Sequence, residues 1–237
     1  MAKLAIIGYG KMGKMLEQLI RENPQHQLTW IGNNTPDITN LKEADAAIEF
    51  SVPEAAEKNI LRCFEAGVPV ASGTTGWTNR LPSVKEICEK GGHTFLYASN
   101  FSIGMNLFFS INQKLATLMD NQPNYDIKVE ETHHLQKKDK PSGTAISLAN
   151  DIIKNLKRKQ KWVNIPSTMQ DELVILSKRT GEVPGIHQVE YTGEDDRIEL
   201  KHTALSRQGF ARGAIIAANW LIGKKGFYTM KDVLNLH

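Results

Sequence analysis

The feature that most constrains this chain is its opening, KLAIIGYGKMGKMLEQLIRE. A short apolar run from Lys3 to Ile7 ends on Gly8, and beyond Lys11 the residues Met12, Met15, Leu16 and Leu19 recur at helical spacing. That pattern predicts a buried strand, a glycine turn and a helix. QLTWIG (27–32) and AAIEF (46–50) predict further buried strands, PEAAEKNILRCFEAG (53–67) a helix begun by proline and stopped by glycine, and PVASG (69–73) another strand. Such alternation predicts a doubly wound parallel sheet.

From about Asn100 the texture changes. GMNLFFSINQKLATLM (104–119) reads as a long helix, and YDIKVEET (125–132) alternates as a strand. ELVILSK, GIHQVEYT and DRIELKHT add three more strands, the last two joined by a turn around Gly193 to Asp196. An open, mostly antiparallel sheet in a second, α+β domain is expected. GFARGAIIAANWLIG (209–223) returns to a helix that is expected, with the tail, to pack on the first domain. The boundaries implied are 1–103 with 207–237 for the first domain and 104–206 for the second. With 237 residues and 41% hydrophobic content the chain has enough apolar material for both cores.

Charge narrows the partners. Lys and Arg number 29 against 26 Asp and Glu, so any affinity for anions must be local, and nucleic acid is not expected as a partner. The basic run Lys154 to Lys161 reads as a solvated helix C-terminus, where cations suit the dipole. Cys63 and Cys88 are far apart without metal-type spacing, so no metal is expected, and reduced thiols fit a cytoplasmic protein. AIIAANWLI is too short to span a bilayer, so no membrane association is expected.

Three loops after strands bear on a cofactor. Gly8, Gly10, Lys11, Met12 and Gly13 form a G-x-G-x-x-G turn ahead of a helix, which suits either a dinucleotide pyrophosphate or a tight structural turn. The acid that would bind the ribose hydroxyls about 20 residues on is replaced by Asn33 and Asn34. Amides bond either ribose form without repelling a 2′-phosphate, and Lys11 adds a cation, so use of both NADH and NADPH with a lean to NADPH is expected. ASGTTGW, with Gly73, Thr74 and Thr75, suits either a nicotinamide or a plain turn with solvated hydroxyls. ASNFSIGMN, which begins Ala98, Ser99, Asn100, Phe101, suits a hinge, a cofactor loop or both.

The densest chemistry lies in ETHHLQKKDKPSGTA (131–145). The helical spacing of Ile146, Ala149, Ile152, Ile153 and Leu156 makes Ser142, Gly143 and Thr144 the N-terminal turn of an amphipathic helix, a cradle for a carboxylate. Lys137 and His134 add charge-assisted bonds to the same anion, which leaves His133 to deliver a proton. Adjacent histidines at a strand end point opposite ways and need not share a role.

This segment closely resembles the E-x-H-H-x-x-K-x-D-x-P-S-G-T-A signature of the dihydrodipicolinate reductases, and GYGKMG, SGTTGW, SNFSIGMN and the C-terminal GFARGAIIAANWLIGKKGFYTMKDVLNL resemble that family in the same order. The resemblance implies an NAD(P)H-dependent, two-domain homotetramer with a Rossmann-type first domain and a sheet domain that forms the tetramer core. It implies reduction of a small cyclic dicarboxylate in lysine biosynthesis. By the same resemblance His133 is the catalytic acid, Lys137 its partner, and His134, Ser142, Gly143 and Thr144 hold substrate carboxylates. Gly8 to Gly13 take the pyrophosphate, Gly73 to Thr75 and Ala98 to Phe101 surround the nicotinamide, and Phe50 and Ser51 border the adenosine. A cofactor-binding redox sensor would need neither His133 nor Lys137, and an aspartate or homoserine dehydrogenase would lack the double histidine.

Overall fold

The computed structural model describes residues 1–33 and 35–236, so Asn34 lies outside the described residues. The chain opens with β1 (Ala2–Ile7), α1 (Lys11–Glu22), β2 (His26–Gly32), α2 (Ile38–Leu41), β3 (Ala46–Glu49), α3 (Pro53–Ala66), β4 (Val70–Ser72), α4 (Leu81–Lys90) and β5 (Thr94–Tyr97). It continues with α5 (Ile103–Met119), β6 (Asp126–His133), α6 (Gly143–Asn155), β7 (Lys161–Val163), β8 (Glu172–Arg179), β9 (Ile186–Thr192) and β10 (Arg197–Thr203). It ends with α7 (Gln208–Leu221), β11 (Gly226–Tyr228) and α8 (Met230–Leu234). Two compact units result, Met1–Ile103 with Gln208–His237, and Gly104–Arg207.

The first unit is a six-stranded sheet in the order β11-β5-β4-β3-β1-β2, with every pairing parallel. Alternate residues of β1 enter different cores because side chains of a strand alternate between faces. Leu4 and Ile6 pack with α1 and α7, while Ala5 and Ile7 pack with α2 and α3. Small residues let α7 lie close: a Cβ on Gly213 would fall 1.8 Å from the Phe101 carbonyl oxygen. Since β1 has β2 on one side and β3 on the other, the chain reverses direction there, and the C-terminal ends of β1 and β3 form the crevice where such sheets take ligands.

The second unit is a five-stranded sheet in the order β10-β9-β6-β8-β7. Helices α5 and α6 cover one face, packing Met105, Phe108, Leu148 and Ile152 against Ile127, Val129, Ile175, Val189 and Tyr191. The other face carries Lys128, Glu130, Val174, Leu176 and Lys178, none of them buried. This sheet is mixed, more parallel than the sequence suggested: β10–β9 and β9–β6 are antiparallel, whereas β6–β8 and β7–β8 are parallel. The cause is two returns of the chain along the sheet, α6 between β6 and β7 and residues 164–171 between β7 and β8, since parallel pairing requires a crossover each time.

The basic run departs from expectation in part: Lys154, Lys157 and Lys161 are exposed, but Arg158 and Lys159 are not solvated cations. Helix α6 ends at Asn155, and the run turns into β7. Lys159 is buried, with Nζ bonded to Asp126 and to the Glu172 carbonyl, and Arg158 donates to the carbonyls of Met119 and Tyr125. These cations are structural fasteners between loops and strand ends. Among the described residues no helix is long and apolar enough to cross a membrane.

Candidate active site

In the first unit the glycine turn is forced by close packing. Gly8 has φ +100°, and a Cβ there would fall 2.0 Å from the Phe50 carbonyl oxygen; one on Gly13 would fall 2.1 Å from that of Gly8. Gly10 differs. It begins α1 without any side-chain cap, and a Cβ on it would meet nothing within 4 Å. The first N–H groups of a helix have no acceptor inside it, so Lys11 to Gly13 present donors and the positive end of the dipole to an anion. These features fit a dinucleotide pyrophosphate.

A cleft of about 360 Å³ adjoins the turn, lined by Gly10 to Met12, Phe50, Ser51, Pro53 and Gly73 to Thr75. It therefore joins two of the three marked loops to Phe50 and Ser51, which the family resemblance implied. Gly73 lies against the Phe50 ring, which a Cβ would meet at 2.2 Å. Asn33 is exposed and its Oδ1 accepts from the Tyr9 N–H at 2.5 Å, which ties it to the glycine turn. Ala98 to Phe101 do not line this cleft. The Ala98 N–H donates to the Ser72 carbonyl, Ser99 is exposed, Asn100 accepts from the Ser102 N–H, and Phe101 is buried beside Phe50 with ring centroids 5.6 Å apart.

Sequence reasoning passed over Glu49, the last residue of β3. It is fully buried and accepts from the Ser51 N–H at 3.0 Å, from Thr74 Oγ1 at 2.9 Å, from Ser72 Oγ at 2.6 Å and from Ser51 Oγ. One carboxylate thus ties the loops after β3 and β4, and the Thr74 hydroxyl is turned inward. The available signal was an acid ending an apolar strand, AAIEF.

In the second unit, the face of β6 that buries Ile127 and Val129 ends in Glu131 and His133, both buried. His133 Nδ1 is hydrogen-bonded to Glu131 Oε2. Across the sheet, Glu131 pairs with His187 on β9 and Ser177 on β8, and His187 pairs with His202 on β10. Glu131 Oε1 is 2.9 Å from Arg179 Nη2. Burial pushes the Glu131 carboxyl up, but the bonds from His133, Arg179 and Ser177 outweigh it and hold the group at about 2. An ionised Glu131 makes Nδ1 of His133 a donor, so Nε2 is the atom left for chemistry. Glycine at 185 keeps Nε2 uncovered, since a Cβ there would lie 3.1 Å away.

Burial, then the neighbouring His133, push His187 down to about 3, so it is a neutral imidazole. Its Nε2 lies 3.3 Å from Ser142 Oγ, and its ring meets that of His133 edge-on at 5.1 Å. Ligand atoms of Glu131, His133 and His187 lie within 4.8 Å of one another, as in some metal sites. Here each residue has a hydrogen-bond partner: Glu131 has Arg179 and His133, and His187 has Ser142. Glu131 therefore orients His133, while His187 packs against that ring and keeps a buried Nδ1 without a partner among the described residues.

The remaining expected residues follow in the segment after this pair. Ser142 caps α6, accepting from the Ala145 N–H at 3.2 Å, so its hydroxyl is occupied in structure. Gly143 is exposed with open space above it, and Thr144 is half-buried. Lys137 Nζ is 2.8 Å from Asp139 Oδ1. His134 is half-buried. His133, Ser142, Gly143 and the Lys137 loop thus converge at the ends of β6 and β8, with backbone donors and a cation near one imidazole. This arrangement can hold an anion and donate a proton.

The family model described as "Dihydrodipicolinate reductase, N-terminus" matches residues 2–101, and that described as "Dihydrodipicolinate reductase, C-terminus" matches 104–234. A 4-hydroxy-tetrahydrodipicolinate reductase of Christiangramia forsetii is 47% identical over 234 residues, covering 98% of this chain and 97% of its own. One from Methanopyrus kandleri is 39% identical over 199 residues, covering 81% and 72%. Among solved structures, dipicolinate-bound dihydrodipicolinate reductase from Paenisporosarcina shares the fold with a TM-score of 0.81 at 24% identity, over 97% of each chain.

Proposed function

The chain belongs to the dihydrodipicolinate reductase family, and from that premise we propose how its residues divide the reaction. It is an NAD(P)H-dependent oxidoreductase, a 4-hydroxy-tetrahydrodipicolinate reductase of diaminopimelate and lysine biosynthesis. The hydroxylated ring loses water, takes up a hydride into its C=C–C=N system, and is protonated as an enamine. The nicotinamide, when bound, supplies the hydride.

In our reading Gly10, Lys11, Met12 and Gly13 hold the pyrophosphate, while Phe50, Ser51, Gly73, Thr74 and Thr75 shape the adjoining cleft. Gly143, Thr144 and the main chain at Ser142 hold a substrate carboxylate, with Lys137 and His134 adding charge. As the imidazolium, with Nδ1–H on Glu131, His133 gives the enamine its proton from Nε2, is left as the Nδ1–H tautomer, and recovers a proton from water. The observation that carries this reading is the buried Glu131–His133 pair at the end of β6, which engages Nδ1 and leaves Nε2 for the proton, while the Ser142 N–H at the start of α6 donates to the same carboxylate. A positioned imidazole acid is worth about 10² to 10⁴ in rate.

The test is loss of NAD(P)H absorbance with enzymatically generated substrate. Turnover is expected with both cofactors, with kcat/KM favouring NADPH, because Asn33, fastened to the glycine turn, carries no negative charge to repel a 2′-phosphate and Lys11 adds a cation. An NADH preference above about tenfold contradicts that choice, and no turnover contradicts the reaction. We further infer a cytoplasmic homotetramer, supported by the second sheet's half-exposed face with Val174 and Leu176, and checked by sedimentation.

A further inference from the structure

Arg179 ends β8 directly opposite His133 in the parallel register, with its side chain only 6% exposed. Nη2 lies 2.9 Å from Glu131 Oε1 and also donates to the Asp139 carbonyl. Nε donates to the Lys137 carbonyl at 3.3 Å, and Nη1 to that of Lys178 at 2.6 Å. One planar cation therefore grips both the carboxylate that orients His133 and the backbone on either side of Lys138. We propose that Arg179 is a positioning residue that fixes the proton donor His133 and the anion-binding Lys137 in one mutual geometry, a role that rests on the reading of those two residues given above.

The chemistry favours arginine specifically. A guanidinium offers donors in a fixed fork and reaches a carboxylate and carbonyls at once, whereas an ammonium is a single point charge. Lysine at this position keeps a positive charge beside Glu131 and loses the grip on the Lys137 loop. The two functions of Arg179 are therefore separable by substitution.

The experiment compares Arg179→Lys and Arg179→Met in the full chain. Dipicolinate affinity is measured by calorimetry, kcat by NADPH oxidation, and the proton position on His133 by ¹⁵N-histidine NMR. Arg179→Met is expected to weaken dipicolinate binding and lower kcat, each at least about tenfold, and to convert the Nδ1–H signal of His133 to a mixture of tautomers. Arg179→Lys is expected to retain the Nδ1–H signal while dipicolinate binding stays weakened. Should Arg179→Met not fold, the Arg179→Lys result stands alone: weakened binding with the tautomer kept supports the role, and unchanged binding overturns it. A folded Arg179→Met protein with lower Tm but binding, kcat and NMR pattern within twofold of wild type also overturns it. If wild type itself neither turns over nor binds dipicolinate, the reductase reading fails, and the NMR comparison alone still decides whether Arg179 orients His133.

Discussion

Replacing Glu131 with Gln keeps the volume of the side chain and removes a charge that two buried partners depend on. The carboxyl is held at about 2 against an ordinary 4.5. At about 1.4 kcal/mol per tenfold change, the ionised form contributes roughly 3 kcal/mol to the folded state. Because the folded-state value is depressed, that contribution is fully present above about pH 4.5 and is lost as pH falls through about 2. The variant also leaves Arg179, with its side chain 6% exposed, without its counter-ion. Urea unfolding at pH 7 should therefore place Glu131→Gln about 3 kcal/mol below wild type. At pH 3 the linkage relation removes roughly 2 kcal/mol of that gap. In parallel, kcat should fall at least about tenfold, since an amide no longer dictates which nitrogen of His133 carries the proton. A variant as stable as wild type at pH 7, or a gap that does not shrink between pH 7 and pH 3, would refute the assignment of Glu131 as the ionised anchor of the site.

Two predictions concern the first unit. Gly13→Ala forces a Cβ to within 2.1 Å of the Gly8 carbonyl, so the turn must open. Fluorescence titration should show NADPH affinity weakened at least about tenfold, with dipicolinate affinity unchanged. Glu49→Gln exchanges one carboxylate oxygen for a donor, so the Ser51, Ser72 and Thr74 donors cannot all be accepted as before. Its KM for NADPH should rise at least about tenfold while the substrate KM stays within about twofold; equal changes in both would assign Glu49 to general stability.

What the sequence revealed depended on the length over which a pattern could repeat. Helices α1, α3, α5, α6 and α7 run for 12 to 17 residues and display their apolar spacing plainly. By contrast, β7 and β11 are three residues each, too short for any period, and took their place from pairing with β8 and β5. The sheet direction in the second unit was missed for a related reason. Strand composition carries no arrow, and it takes two returns of the chain, α6 between β6 and β7 and residues 164–171 between β7 and β8, to make β6 and β8 parallel. At the site, the residues found from sequence lie in one contiguous segment, 131–145, where motif and helix start coincide. Arg179 and His187 lie far along the chain and reach Glu131 only through strand register, which no local pattern encodes. Glu49 could have been suspected as a charge in an apolar strand, but its hydroxyl partners come from another strand and loop.

Whether His133, held by Glu131, delivers the proton in the reduction is decided by steady-state kinetics of His133→Gln beside wild type with NADPH and enzymatically generated substrate. Glutamine keeps a polar side chain facing Glu131 but has no proton to give to an enamine. In His133→Gln kcat should fall at least about tenfold, with substrate KM changed by less than about threefold and dipicolinate affinity retained. A variant with wild-type kcat would contradict that role of His133, and so would one whose loss appeared wholly in KM.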